Sequence, residues 1–276
     1  MSGRRSSWRR EPPEADEREL ALPGGMANRG KVVRIGDTVR RPLRNTSPAT
    51  HALLRHLEAV GFTGAPRLLG IDAQEREVLS YIPGAVPIPP YPDWALTEDA
   101  LISVAQLLRE YHRAVATFDA RPYTWPASPP GTLAGELVSH NDPNLDNVVF
   151  RDGRAVGLID FDLSSPGCRL WDVACAARLW APLRPDARIR DSRRGRAFQR
   201  FSVFMAAYGT DDLDLGQITT AVQENQAWFW HLVDRYAAAG HPAFLEYSRS
   251  EVRMRPEAYR AWLSENEAAI RAALGS

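Results

Sequence analysis

Residues 140–162 constrain this chain more than any other stretch. They run His140-Asn141-Asp142-Pro143-Asn144-Leu145-Asp146-Asn147, continue through two apolar runs around Asp152-Gly153, and end in Ile159-Asp160-Phe161-Asp162. Asp-Gly between alternating runs rich in β-branched residues (148–151 and 154–159) is a strong hairpin signal. With 152–153 as the loop, Asn147 is expected to face Leu158. Asp160 then lies diagonally across from Asn147 on the same sheet face, roughly 7–8 Å away. An amide oxygen and a carboxylate are hard oxygen ligands, which suit Mg²⁺ held together with waters and phosphate oxygens. Asp142, in a loop held by Pro143, can reach the same spot as a base. This layout predicts a phosphoryl-transfer site.

The H-x-D-x4-N string is expected by chance only about 0.01 times in a chain of this composition. The plainer alternative is a hairpin with an Asx-rich entry turn, because Asp and Asn favour turns anyway. The whole block resembles the catalytic and metal-binding segment of the aminoglycoside phosphotransferase and choline kinase superfamily, relatives of the protein kinases. In protein kinases an H-R-D loop and a following Asn precede a D-F-G Asp. The resemblance implies an ATP- and Mg²⁺-dependent enzyme that moves the γ-phosphate to a hydroxyl of a small molecule. Asp142 is then the catalytic base, Asn147 and Asp160 hold Mg²⁺, and His140 is structural. Asn141 stands where antibiotic kinases usually have Gly, as in choline kinases. Asp162 replaces the Gly of D-F-G, either as a second metal or water ligand or as a cap on the next turn. Asp172 lies where family members place an Asp that braces the catalytic loop; a carboxylate favoured by a helix N-terminus accounts for it as well.

Other parts of a kinase-like machine are sought from the same resemblance. Gly24 and Gly25, with Asn28 and Gly30, match a loop whose backbone N–H groups approach phosphate oxygens closely. The third strand should carry a cation for the α- and β-phosphates. Lys31 is the single lysine among 34 basic residues, so Arg41 is the candidate, with Arg40 the alternative. Arg is bulkier than Lys and not a neutral replacement. The helix that should offer a partner Glu has Thr50 and His51 instead. That departure keeps a second possibility open, a nucleotide-binding pseudokinase or regulatory module without turnover. Ser80, Tyr81 and Ile82 lead into a hinge, where the resemblance implies that backbone groups bind the base while Ile82 and Val39 sandwich it. ATP is the expected donor, with GTP not excluded.

Composition narrows the field. Lys plus Arg equals Asp plus Glu at 34 each, so no global field draws the chain to nucleic acid or acidic membranes. No apolar run approaches the ~20 residues of a membrane span. The first residues show no secretory h-region, and Cys168 and Cys175 suit a reduced, cytoplasmic protein.

Along the chain, residues 1–20 are charged and poor in aliphatics, and are expected to form a disordered tail. Residues 21–82 form an expected N-terminal nucleotide-binding lobe: strands at 31–35 and 38–42, a helix over 50–60 and strands at 66–71 and 77–82. Residues 83–276 form the expected C-terminal lobe, with helices over 98–118, 170–179, 198–208, 214–239 and 256–273. The predicted class is α+β: a bilobal, protein kinase-like fold with a small antiparallel sheet and a mainly helical second lobe. Asp172 lies only twelve residues past Asp160, too close to leave room for a protein-kinase activation segment. The acceptor is a small molecule, with a cationic one among the candidates. Asp211, Asp212, Asp214 and Glu224 are a candidate pocket wall, and Trp228-Phe229-Trp230 a candidate stacking surface or simply core. Seven arginines between 184 and 200 read as a solvated face or, less simply, an anion-binding one.

Overall fold

The computed structural model of the protein describes residues 18–22, 30–127, 129–250 and 254–275. Its chain builds a sheet lobe first. Strands β1 (Leu20–Ala21), β2 (Val33–Ile35) and β3 (Thr38–Pro42) precede helix α1 (Ser47–Ala59), and β4 (Leu68–Ile71) and β5 (Arg76–Ser80) follow it. All five form one antiparallel sheet in the order β1-β2-β3-β5-β4. Leu20, expected in the tail, pairs with Arg34. The two-residue Gly36-Asp37 turn closes β2 onto β3, with Gly36 at φ 54°, a left-handed position at which Gly is favoured in a tight hairpin. Helix α1 starts at Ser47 because Pro48 suits a first helical turn. It buries Leu53, Leu54 and Leu57.

Beyond β5 the chain crosses to the second lobe at Gly84. Ala85 and Phe150 exchange two backbone bonds of 2.8 Å. A Cβ on Gly84 would lie 2.5 Å from Phe150 O, so this contact requires glycine.

The central helix α2 (Glu98–Ala114) is capped by Thr97, whose Oγ1 accepts the Ala100 N–H at 3.2 Å. Leu101, Val104, Ala105, Leu108 and Tyr111 form its buried face. The helix stops at Ala114, and a 3₁₀ turn takes the chain through Val115–Thr117. Strands β6 (Leu137–Ser139), β7 (Val148–Arg151), β8 (Arg154–Leu158) and β9 (Ser165–Gly167) then form two antiparallel pairs, β7 with β8 and β6 with β9. The lobe closes with α3 (Arg169–Trp180), α4 (Ala197–Tyr208), α5 (Ile218–Ala238), α6 (Pro242–Arg249) and α7 (Pro256–Ala273). Trp228 and Trp230 are buried, and Trp228 meets Trp171 edge-on, so these two indoles are core. The architecture is a bilobal α+β one, a small antiparallel sheet lobe and a mainly helical lobe. Among the described residues no helix is long and apolar enough to cross a membrane.

Candidate active site

Strands β7 and β8 meet through Asp152 and Gly153, at φ 51° and 74°, the type I′ turn that Asp-Gly favours. Near the turn the register is the expected one, Arg151 with Arg154 and Phe150 with Ala155. It then shifts, so that Val148 faces Leu158 and Val149 faces Gly157. Val156 is the extra residue of this bulge. The shift corrects the expected pairing of Asn147 with Leu158: Asn147 O instead accepts the Ile159 N–H at 2.9 Å. Strand alternation also does not aim the two ligand candidates. Asn147 ends a 3₁₀ turn (Leu145–Asn147), and Asp160 adopts φ 62°, ψ 64°. A left-handed non-glycine residue of this kind is uncommon and concentrates where function over-determines the backbone.

Asp142 and Asn147 are locked together. Asn147 Nδ2 donates to Asp142 O and to Asp142 Oδ2, both at 2.9 Å. Burial, then the charges of Asp160 and Asp146, raise the Asp142 pKa well above the ordinary carboxylate range, while the Asn147 bond and Arg178 pull it down. His140 supports this loop from inside. Its Nε2–H donates to Ile159 O at 3.1 Å, and its Nδ1 accepts the Asp142 N–H at 3.3 Å, which fixes the neutral tautomer. Burial lowers the His140 pKa to about 4.

Asp172 is wholly buried. Its two oxygens accept the backbone N–H groups of His140 (2.8 Å) and Asn141 (2.9 Å) and the His112 Nε2–H (2.9 Å). Against the effect of burial, the bond from His112 and the two neighbouring imidazoles hold Asp172 below its usual pKa. His112, one of several scattered histidines in the sequence, thus belongs to the support of the loop, and its Nδ1 pairs with the Tyr208 hydroxyl at 2.7 Å. Asn141 was noted in the sequence only for standing where antibiotic kinases usually have Gly, and the structure adds its contacts. It sits at φ 67°, which explains why a Gly-like residue is needed there. Its Nδ2 bonds Leu163 O (2.8 Å) and Ser165 Oγ (2.7 Å), and its Oδ1 accepts Trp171 Nε1 (2.7 Å). The loop at 140–142 is thereby tied to the segment that follows Asp160.

The missing helix glutamate is made good from another element. Arg41, 6% exposed, forms an ion pair through Nε with Glu77 of β5, and the other Glu77 oxygen pairs with His51 Nε2 at 2.7 Å. Arg41 Nη1 also reaches Asp162 Oδ1 (2.9 Å) and Asp160 Oδ1 (3.2 Å), and Arg44 Nε pairs with Asp162 Oδ2 (2.9 Å). Burial opposes the charge on Arg41, but Asp162, Glu77 and Asp160 raise its pKa above the ordinary arginine value. Glu77 and Arg44 had no signal in the sequence beyond being polar residues near strand ends. Arg40 points elsewhere, pairing with Asp72 at 3.6 Å.

The remaining expected residues divide. Gly24 and Gly25 lie outside the described residues. Ser80 ends β5, and its N–H and Oγ are both bonded to the backbone of Arg67. The Tyr81 N–H donates to Asp37 O at 2.9 Å, so it is not available to a base, and its ring lies under the Arg34 guanidinium. Ile82 rests on Gly157, where a Cβ would come within 2.8 Å of Ile82 Cδ1.

The donor set fits a hard divalent cation. Asn147 commits both N–H bonds of its amide to Asp142, and no described donor is bonded to its Oδ1. Asp160 is pushed up to about 6 by burial and by Asp162, despite Arg41 and Arg44, so more positive charge beside it is favourable. Among the described residues no three His, Cys, Asp or Glu converge, so such an ion would complete its shell with water and phosphate oxygens, as Mg²⁺ does.

Residues 118–204, which include this site, match the family described as "Phosphotransferase enzyme family". The chain has the fold of a choline/ethanolamine kinase family protein from Mesorhizobium loti, with TM-score 0.59, 15% identity and coverage of 96% of this chain and 95% of that one. It matches the GDP complex of wild-type aminoglycoside 2′-phosphotransferase-IIIa at TM-score 0.54 and 14% identity, covering 96% and 94%. The catalytic segment thus matches that phosphotransferase family, and the fold is the one shared by choline/ethanolamine kinase and aminoglycoside phosphotransferase structures. A further relative is the trifolitoxin immunity protein of Rhizobium leguminosarum bv. trifolii, 36% identical over 173 residues. That match covers 61% of this chain and 64% of the immunity protein, less than two thirds of its length. In this chain His51 of α1 pairs with Glu77, and Glu77 pairs with Arg41.

Proposed function

We propose that the protein is a small-molecule kinase that moves the γ-phosphate of ATP to an alcohol. The first lobe, residues 21–82, would bind the nucleotide, with Arg41 held over the phosphates by Glu77; residues 83–276 would supply the catalytic loop and the acceptor pocket. Asp142 would orient the acceptor hydroxyl and take its proton as the oxygen bonds to the γ-phosphorus and the bond to the ADP oxygen breaks. Asn147 would hold the Asp142 carboxylate in place and, with Asp160, would bind Mg²⁺. When bound, the ion would neutralise charge on the phosphates. Asp172, His112 and His140 would keep the loop from moving as charge shifts. Positioning and electrostatics would supply most of the acceleration, as in other phosphoryl transfers. One observation carries this reading: Asn147 donates twice to Asp142 and keeps an oxygen uncommitted.

The test is turnover by wild type and Asp142→Asn across a panel of hydroxylated acceptors, with nucleotide binding followed by thermal shift. The expected result is at least a hundredfold loss of phosphorylation with nucleotide binding retained. Unchanged turnover in the variant would remove Asp142 from the chemistry. A second reading, a nucleotide-binding module that acts without turnover, is favoured by the engagement of Arg41 with Asp160 and Asp162 and by the likeness to an immunity protein. It predicts nucleotide binding with no transfer to any acceptor.

A further inference from the structure

Helix α3 runs against the catalytic loop at two points. Cys175 Sγ bonds Asn141 O at 3.3 Å, and Trp180 Nε1 donates to Pro143 O at 2.8 Å. Arg178 lies between them, one turn beyond Cys175. Its guanidinium is fixed from α5 by neutral groups: Nε donates to Asn225 Oδ1 at 3.1 Å and Nη1 to Gln226 Oε1 at 2.7 Å. Gln226 is itself anchored, its Nε2 donating to Met254 O. A guanidinium offers five N–H donors, and these amides take only two. Among the described residues no carboxylate lies within ion-pair distance of Arg178 or of Arg184.

Arg184 follows α3 and is partly buried, and its Nε has no hydrogen-bond partner. Burial, then the charges of Arg193 and Arg178, lower its pKa. Arg193 is neutralised by Asp191 at 2.7 Å; Arg178 and Arg184 are not neutralised by any such pair. Two neighbouring cations, one held only by neutral amides and the other partly buried with its Nε unpartnered, are costly unless an anion joins them. Helix α3 touches the loop on both sides of Asp142, at Asn141 O and Pro143 O, and Arg178 lies between these two contacts. Two of the four acidic residues expected to wall a cationic acceptor's pocket already have partners in the structure. Asp212 pairs with Arg169 at 3.3 Å, and Asp214 accepts from Gly216 N and Gln217 Nε2.

We propose that the acceptor alcohol carries an anionic group, a carboxylate, phosphate or sulfonate, received by Arg178 with Arg184 beside it and next to Asp142. This rests on the kinase reading above for which hydroxyl reacts, but the anion site itself is a matter of binding. The geometry favours a hydroxy acid or phosphorylated alcohol over an amino alcohol. An arginine fork suits oxyanions bidentately, which adds geometric selection to charge.

The experiment is calorimetric titration of the full chain, with Mg²⁺ and a non-hydrolysable ATP analogue present, using three probes of one skeleton: glycerate, glycerol phosphate and aminopropanediol. The expected result is that one or both anionic probes bind and the amine does not. Which anion binds more tightly separates a carboxylate site from a phosphate site. Arg178→Gln should weaken the anionic probe at least tenfold with nucleotide affinity unchanged. Arg178→Lys, which keeps charge but not the fork, should fall between and guards against a folding defect. Preference for the amine, failure of both anions to bind, or an equal loss of nucleotide affinity in Arg178→Gln would overturn the proposal. If the bound anion, then given with ATP in a turnover assay, yields no phosphorylated product, the enzyme reading fails and this site still stands.

Discussion

Arg41 and Arg178 are held in opposite ways. Arg41 is surrounded by three carboxylates, from Glu77, Asp160 and Asp162, and one of these is steadied in turn by His51. Arg178 is held by two neutral amides. A guanidinium locked among acids is fixed in place before any ligand arrives. One positioned by amides keeps its charge for something that arrives. In the proposed kinase, the difference separates the part that is fixed beforehand from the part left to meet an acceptor.

Breaking the first arrangement should have the largest effect. Glu77→Gln removes one carboxylate from a buried ion pair while Arg41 retains Asp160 and Asp162, so we expect a loss of about 3 kcal/mol, read as a drop of roughly 6–12 °C in Tm. A change under a third of that would mean Arg41 does not depend on Glu77. The next effect concerns the loop between the two arginines. His140 is held neutral down to about pH 4, whereas an unfolded histidine takes a proton near 6.5. Its folded pKa is depressed, so the unfolded state binds the extra proton first as pH falls. Stability is then fully present above about 6.5 and declines toward 4, by about 3 kcal/mol in total. Denaturant unfolding of wild type and His140→Asn across this window should diverge by that amount; parallel profiles would contradict the burial of a neutral imidazole. Smallest is the effect of Arg178→Gln on stability, about 1 kcal/mol, because only bonds to neutral amides are lost. A loss as large as that of Glu77→Gln would show that Arg178 is structural after all.

Much of this was legible in the chain, and the illegible part has a physical pattern. The Asp152-Gly153 turn was readable because two positive-φ residues leave few alternatives. The central helix was readable from its 3.6-residue apolar spacing and the Thr97 cap. The bulge at Val156 was not, since nothing local announces that Gly157 must pass under Ile82. Helix α6, only eight residues long and opened by a proline, fell below what periodicity resolves. Of the site, the loop residues His140, Asp142, Asn147 and Asp160 stood out because their spacing is local. Glu77 and His51 did not, because their meeting depends on how a strand and a helix pack around Arg41. His112 was hidden for the same reason: its partner Asp172 is sixty residues away.

The central claim is that Asn147 and Asp160 form one cation site coupled to nucleotide phosphate beside Asp142. The direct measurement is calorimetric titration of ATP into wild type and Asp160→Asn, each with and without Mg²⁺. The account predicts that Mg²⁺ tightens nucleotide binding at least tenfold in wild type and has little effect in the variant, with metal-free affinity retained by both. Equal metal dependence in the two proteins would contradict it.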